Sequence, residues 1–113
     1  MSRRQVVWSE AARRDLHAIV AYLADRSPRA AIDTLHRIRG AARGLVAMPE
    51  RGRVVPELAR IHVRDFRELV IPPYRLLYRS AGRRVFVLGV FDSRRNLEDV
   101  LLDRIVRADG DDL

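Results

Sequence analysis

Five arginines, Arg67, Arg75, Arg79, Arg94 and Arg95, stand on or beside runs of alternating apolar residues, where a β-sheet would present them together. A guanidinium is a planar fork of donors that matches phosphate or carboxylate through paired, charge-assisted hydrogen bonds. It stays protonated at any biological pH and does not serve as a base. All 22 basic residues are arginine and none is lysine, so the cationic surface can grip polyanions without supplying a proton acceptor. The three histidines are His17, His36 and His62. His17 and His36 fall in helical repeats, which leaves His62 as the imidazole placed to take a proton near the sheet. Glu98, Asp99 and Asp103 have no His or Cys company and read as an exposed helix face rather than a metal site. No metal and no cofactor are expected. Each arginine can equally be a solvated strand residue or the partner of Glu68, Asp92 or Glu98, and surface pairs of that kind contribute little.

The positive balance extends over the whole chain. Its 113 residues, 48% hydrophobic and 33% charged, carry a formal charge of +7. That length suits one domain, 1–113, with one real core. A surface so basic favours nucleic acid, a ribonucleoprotein or an acidic protein partner. No apolar run approaches the length of a bilayer span, so no membrane association is expected. The basic start is followed by no apolar stretch of the secretory kind, and cysteine is absent, so the cytoplasm is the expected compartment.

The elements that must hold the arginines can be read from spacing. Val6-Val7-Trp8 is a short strand-like run, and Ser9 follows it as a helix N-cap. Leu16, Ile19, Val20 and Leu23 then fall on one face of a first helix, which closes at Asp25-Arg26. Ser27 before Pro28 is a cap followed by a proline in the first turn. Ala31, Leu35, Ile38, Ala42 and Leu45 form the seam of a second helix, ended by Met48-Pro49. So short a link between the two predicts an antiparallel helical hairpin. After a loop around Gly52 come three strands, Phe66–Ile71, Tyr74–Arg79 and Val85–Phe91, the last apolar on both faces and therefore central. Alternation places Tyr74, Leu76 and Tyr78 on one side of the second strand, with Arg75 and Arg79 sharing an open face on the other. The face reached by Arg67, in step with Leu69 and Ile71, depends on register. Leu97, Leu101 and Ile105 mark a C-terminal helix before the acidic end Asp109–Asp112. The expected fold is α+β: an N-terminal strand, an antiparallel helical hairpin packed on a twisted antiparallel sheet, and a C-terminal helix.

Trp8-Ser9, Ala12, Asp15-Leu16, Ile19 and Tyr22, followed by Gly52-Arg53, Pro56-Glu57-Leu58, Arg67-Glu68-Leu69, Tyr74-Arg75, Tyr78-Arg79 and the strand from Val85 to Val90, form an ordered series. It resembles the ParE/RelE toxins over nearly the whole chain. The resemblance implies a type II toxin–antitoxin system, an acidic, partly disordered antitoxin, a toxin–antitoxin hetero-oligomer, and one of two activities. ParE-like members poison DNA gyrase by binding. RelE-like members cut messenger RNA on the ribosome, which requires deprotonation of a 2′-hydroxyl, stabilisation of phosphate charge and protonation of the leaving oxygen. RelE-like ribonucleases resemble one another in extra basic residues, often lysine, before the strand that carries Arg67 here, and in a Tyr or His near the C-terminus. This sequence has no lysine anywhere and no Tyr or His after Tyr78, so the ParE-like activity is the expectation, with Arg67, Arg75, Arg79, Arg94 and Arg95 as target-binding residues. In the ribonuclease alternative, Arg67, Arg79 and His62 carry the reaction.

Overall fold

The computed structural model describes residues 4–102 and 104. Strand β1 (Gln5–Trp8) runs directly into helix α1 (Glu10–Ala24), whose first turn is closed by the Ser9 hydroxyl accepting the Ala12 N–H at 3.0 Å. Ser27 does the same for helix α2 (Pro28–Gly44), accepting the Ala30 N–H at 3.2 Å with Pro28 in the first turn. Each cap satisfies a donor that a helix start leaves without an intrahelical partner. The two helices form the expected hairpin and bury Ala12 and Leu16 from the first, Ala31, Ile38 and Ala42 from the second. Beyond them come β2 (Arg53–Val54), the single turn α3 (Pro56–Ala59), β3 (Phe66–Ile71), β4 (Tyr74–Ala81) and β5 (Arg84–Asp92). Residues 97–102 are helical. Ile105 and the acidic end lie outside the described residues. No helix among the described residues is long and apolar enough to cross a membrane.

The five strands lie in the order β1-β5-β4-β3-β2. Neighbours are antiparallel except β1, which runs parallel to β5 with Gln5 opposite Arg84 and Trp8 opposite Val87. The sheet is therefore mixed, where the sequence led to an antiparallel one. Tight turns force β3, β4 and β5 to alternate in direction, whereas β1 reaches β5 through the hairpin and most of the chain and is under no such constraint. As its apolar sequence implies, β5 lies inside the sheet.

Both faces of the sheet are covered. Against the helical hairpin pack Ile71, Leu76, Tyr78, Val85, Val87 and Val90, with Trp8 and Leu69 at the margin. On the opposite face Val55, Leu77, Phe91, Leu97 and Val100 form a second cluster, joined by Leu58 and Phe66. The helical C-terminal residues and α3 thus roof the side that the arginines of β4 occupy. A register shift between Leu77 and Tyr78 of β4 inserts Leu88 as an extra residue in β5, so that Val87 and Val90 both face the hairpin. The backbone freed by this bulge is taken up by α1. The Asp15 carboxylate accepts the Val90 N–H at 2.9 Å and pairs with Arg104, and the Ser9 hydroxyl donates to the Leu88 carbonyl at 3.4 Å.

Candidate functional site

Alternation put Arg75 on the face of β4 away from the hairpin, and it is there, but that face is not open. Arg75 is 6% exposed and lies between two carboxylates. It donates from Nη1 and Nη2 to Glu57 at 3.0 and 2.9 Å, and from Nε to Glu68 at 3.2 and 3.1 Å, with a further bond from Nη2 to Glu68. Glu68 is 1% exposed and also receives Arg53 at 3.0 Å. Glu57 accepts the Leu97 N–H at 3.1 Å, which ties the C-terminal helical residues to the same network. The Arg75 guanidinium holds the Glu57 carboxyl down to about 2, and the two carboxylates raise Arg75 beyond its usual range. Arg75 is a buried structural cation whose donors are already spent. The partnership with Glu68 was readable as an alternative in the sequence; Glu57, brought in by α3, was not.

Arg67 and Arg79 are separated by register. Arg67 stands opposite Tyr78 and donates to the Gly52 carbonyl at 2.8 Å, on the hairpin side. Arg79 stands opposite Phe66 and Phe86, on the other side, and is exposed. Between them Tyr78 is fully buried, its hydroxyl donating to the Pro49 carbonyl at 2.7 Å and accepting the Gly52 N–H at 2.9 Å. Burial pushes this phenol up, with the Gly52 N–H opposing. His62 occupies an exposed turn before β3 with φ 64°. Arg94, 88% exposed, donates to the Asp92 carboxylate at 3.0 and 2.8 Å and holds that carboxyl to about 2. Arg95 is exposed beside it. Of the five sequence candidates, Arg79, Arg94 and Arg95 reach solvent, Arg67 is half-buried, and Arg75 is enclosed. Glu98 and Asp99 are exposed on the C-terminal helical residues, and Asp103 lies outside the described residues.

A feature the sequence reading passed over lies along the hairpin. Trp8, Arg13, Leu16, His17, Val20, Leu35 and Arg39 line a groove of about 430 Å³. Trp8 and Arg39 are shared with a second recess that adds Val6, Arg43 and Val46. The signal was present as i,i+4 pairs, Arg13 with His17 and Arg39 with Arg43, which put like residues on one helix face. β1 is the last strand on this side of the sheet, so its outer edge has no strand neighbour among the described residues. The groove therefore combines an apolar floor, arginine rims and an unpaired strand edge.

A family model described as the ParE toxin of the type II toxin–antitoxin system parDE matches residues 6–97. The chain belongs to the ParE toxin family. This ParE-family toxin is 37% identical over 91 residues to Toxin RelE2 of Caulobacter vibrioides, covering 80% of this chain and 97% of that protein. The chromosomal ParDE toxin–antitoxin system from P. aeruginosa contains a chain of the same fold. It aligns with a TM-score of 0.65 at 20% identity over 80% of this toxin and 96% of that chain. The toxin–antitoxin complex RelBE2 from Mycobacterium tuberculosis aligns with a TM-score of 0.55 at 25% identity, over 81% and 93%. The protein is the toxin component of a type II toxin–antitoxin system of the ParE/RelE superfamily.

Proposed function

We propose that this ParE-family toxin arrests replication by binding DNA gyrase, without catalysing a reaction, and that an acidic antitoxin silences it. The supporting observation is the state of the groups that an RNA-cleaving site would need. The buried Tyr78 hydroxyl is bonded both as donor and as acceptor, and Arg75 is spent on Glu57 and Glu68. Arg67 and Arg79 lie on opposite faces of the sheet, and His62 stands in an exposed turn ahead of β3. Strand scission needs a base within hydrogen-bond reach of the 2′-hydroxyl; inhibition by binding needs only surface. Arg79, Arg94 and Arg95 supply exposed cations for it.

The antitoxin reading rests on the groove between the hairpin and β1. Arg13, Arg39 and Arg43 would steer an acidic segment, while Trp8, Leu16, Val20 and Leu35 would supply the apolar burial that carries affinity. An extended stretch of such a segment could pair with the free edge of β1. The toxin–antitoxin complexes among the fold neighbours support a partner of this kind.

The decisive experiment assays the purified toxin against gyrase supercoiling and against ribosome-bound message in parallel. Loss of supercoiling with intact message is the expected result. Cleaved message with unaffected gyrase would establish the RelE-type ribonuclease instead, a reading that the relative named Toxin RelE2 favours. In that event His62→Ala separates its role from that of the arginines. For the partner, Arg39→Glu with Arg43→Glu should abolish co-purification with the acidic protein encoded beside the toxin; retention would move the docking site elsewhere.

A further inference from the structure

Three arginines and two tyrosines from four separate parts of the chain converge at the end of the sheet where β3 turns into β4. The turn itself is Pro72-Pro73. Arg37, from the middle of α2, donates to the Pro72 carbonyl at 2.8 Å. The Ser93 N–H donates to the Pro73 carbonyl at 2.8 Å, which brings Asp92 and Arg94 to the same place. Tyr74 pairs in register with Asp92, and its partly buried hydroxyl lies in the fields of Asp92, Arg37 and Tyr22. Tyr22, from the end of α1, is 58% exposed. Arg26 lies over the Tyr22 ring at 3.8 Å and donates to the Tyr22 carbonyl at 3.2 Å. The Asp92 carboxylate raises Arg94, with Tyr22 adding a smaller part in the same direction.

Each guanidinium here is anchored by part of its donor set while its residue remains exposed. Arg37 uses one bond to a carbonyl, and Arg26 uses one bond and a ring face. Anchoring of this kind removes rotamer freedom before any ligand arrives, so less is lost on binding. Acidic groups close by include Asp92, already paired with Arg94, Asp25, the exposed neighbour of Arg26 in sequence, and Asp33, exposed one turn before Arg37 on α2. Exposed arginines fixed beside the exposed Tyr22 and the partly buried Tyr74 suit a chain of phosphates, with the phenol hydroxyls as additional donors.

We infer that Arg26, Arg37 and Arg94, with Tyr22 and Tyr74, form a contact surface for the phosphodiester backbone of duplex DNA. Contact is to phosphate and is independent of sequence. It goes beyond the gyrase reading, because it concerns DNA in the absence of any enzyme, yet it would place the toxin on a DNA-bound target.

The test is fluorescence anisotropy of the full-length toxin with a labelled 20-base-pair DNA duplex of mixed sequence, titrated between 50 and 200 mM NaCl, with no gyrase present. Each phosphate contact contributes roughly 0.9 to the slope of log affinity against log salt. The triple variant Arg26→Gln/Arg37→Gln/Arg94→Gln should lower that slope by about 3 and weaken binding at least tenfold at low salt. The comparison variant Arg60→Gln/Arg64→Gln/Arg83→Gln removes the same charge from exposed positions at the opposite end of the sheet. Its slope should change by less than about 1. Should the first triple fail to fold, the single variants Arg26→Gln and Arg94→Gln each lower the slope by about 1. Equal effects from the two triples would mean diffuse charge and overturn the site. So would absence of DNA binding by the unmodified toxin, or tighter binding of an RNA duplex of the same length. Because gyrase and ribosome are both absent, none of these outcomes bears on which of them is the target.

Discussion

Arg75→Met replaces the one cation that holds Glu57 and Glu68 together inside the protein. In the native fold Arg75 and Glu68 are 6% and 1% exposed, so the variant strands one buried carboxylate with only Arg53 and leaves Glu57 without its principal partner. Breaking a buried ion pair by removing one member costs about 3–5 kcal/mol. A second route gives a similar size. The Glu57 carboxyl is lowered from 4.5 to about 2, chiefly by its hydrogen bonds to Arg75, and a fall of that order is worth roughly 3 kcal/mol. The sign is that of a depressed carboxyl. The stabilisation is complete above the unfolded value near 4.5 and is lost as pH falls toward about 2. Between pH 7 and pH 5 the native protein therefore keeps the full contribution. In Arg75→Met, Glu57 is no longer held down, and proton uptake toward pH 5 relieves part of the penalty. Urea unfolding followed by circular dichroism reads this directly. With a slope of roughly 1–3 kcal/mol per molar, the midpoint should fall by about 2 M at pH 7 and by less at pH 5. A midpoint shift under about 0.3 M at pH 7, or one that grows on acidification, would refute the argument that the network is held by this cation.

Three further outcomes follow from contacts already described. A Cβ on Gly52 would lie 2.5 Å from the Glu68 carbonyl oxygen and 2.8 Å from the Tyr78 hydroxyl, so Gly52→Ala should cost about 1–3 kcal/mol, seen as a lowered thermal midpoint. Tyr78→Phe leaves the Gly52 N–H and the Pro49 carbonyl without their buried partner, a loss of about 1–3 kcal/mol that should come with faster proteolysis of the 49–53 loop. Asp15→Ala removes the acceptor of the Val90 N–H, and amide exchange at Val90 should accelerate while that at Val85, inside the same strand, changes far less.

The helical hairpin was fully legible because its information is local: Ser9 and Ser27 cap, Pro28 starts, and Leu16, Ile38 and Ala42 repeat at helical steps. The three long strands were legible for the same reason, by period and by their flanking Pro-Pro and Gly. Arg53–Val54 and Pro56–Ala59 are too short to carry a period, and they emerge only from pairing with β3 and from the roof they help to build. Side-chain phase along β4 was right, since Tyr74, Leu76 and Tyr78 do share the hairpin side. What phase does not carry is cover. Arg75 is buried because Glu57, Leu97 and Val100 arrive from 18 or more positions away to close that face. The groove was missed for a related reason: Arg13, Arg39 and Trp8 come from three elements, and only packing brings them together.

The placement of β1 sets the order in which this chain can be completed as it is made. Ser9 bonds to Leu88 across 79 positions, and among the described residues the strand ahead of it pairs only with residues 84–87. Until β5 is synthesised, β1 lacks the strand edge that it joins. A nascent chain therefore lacks this parallel pairing until residues 84–87 have been made.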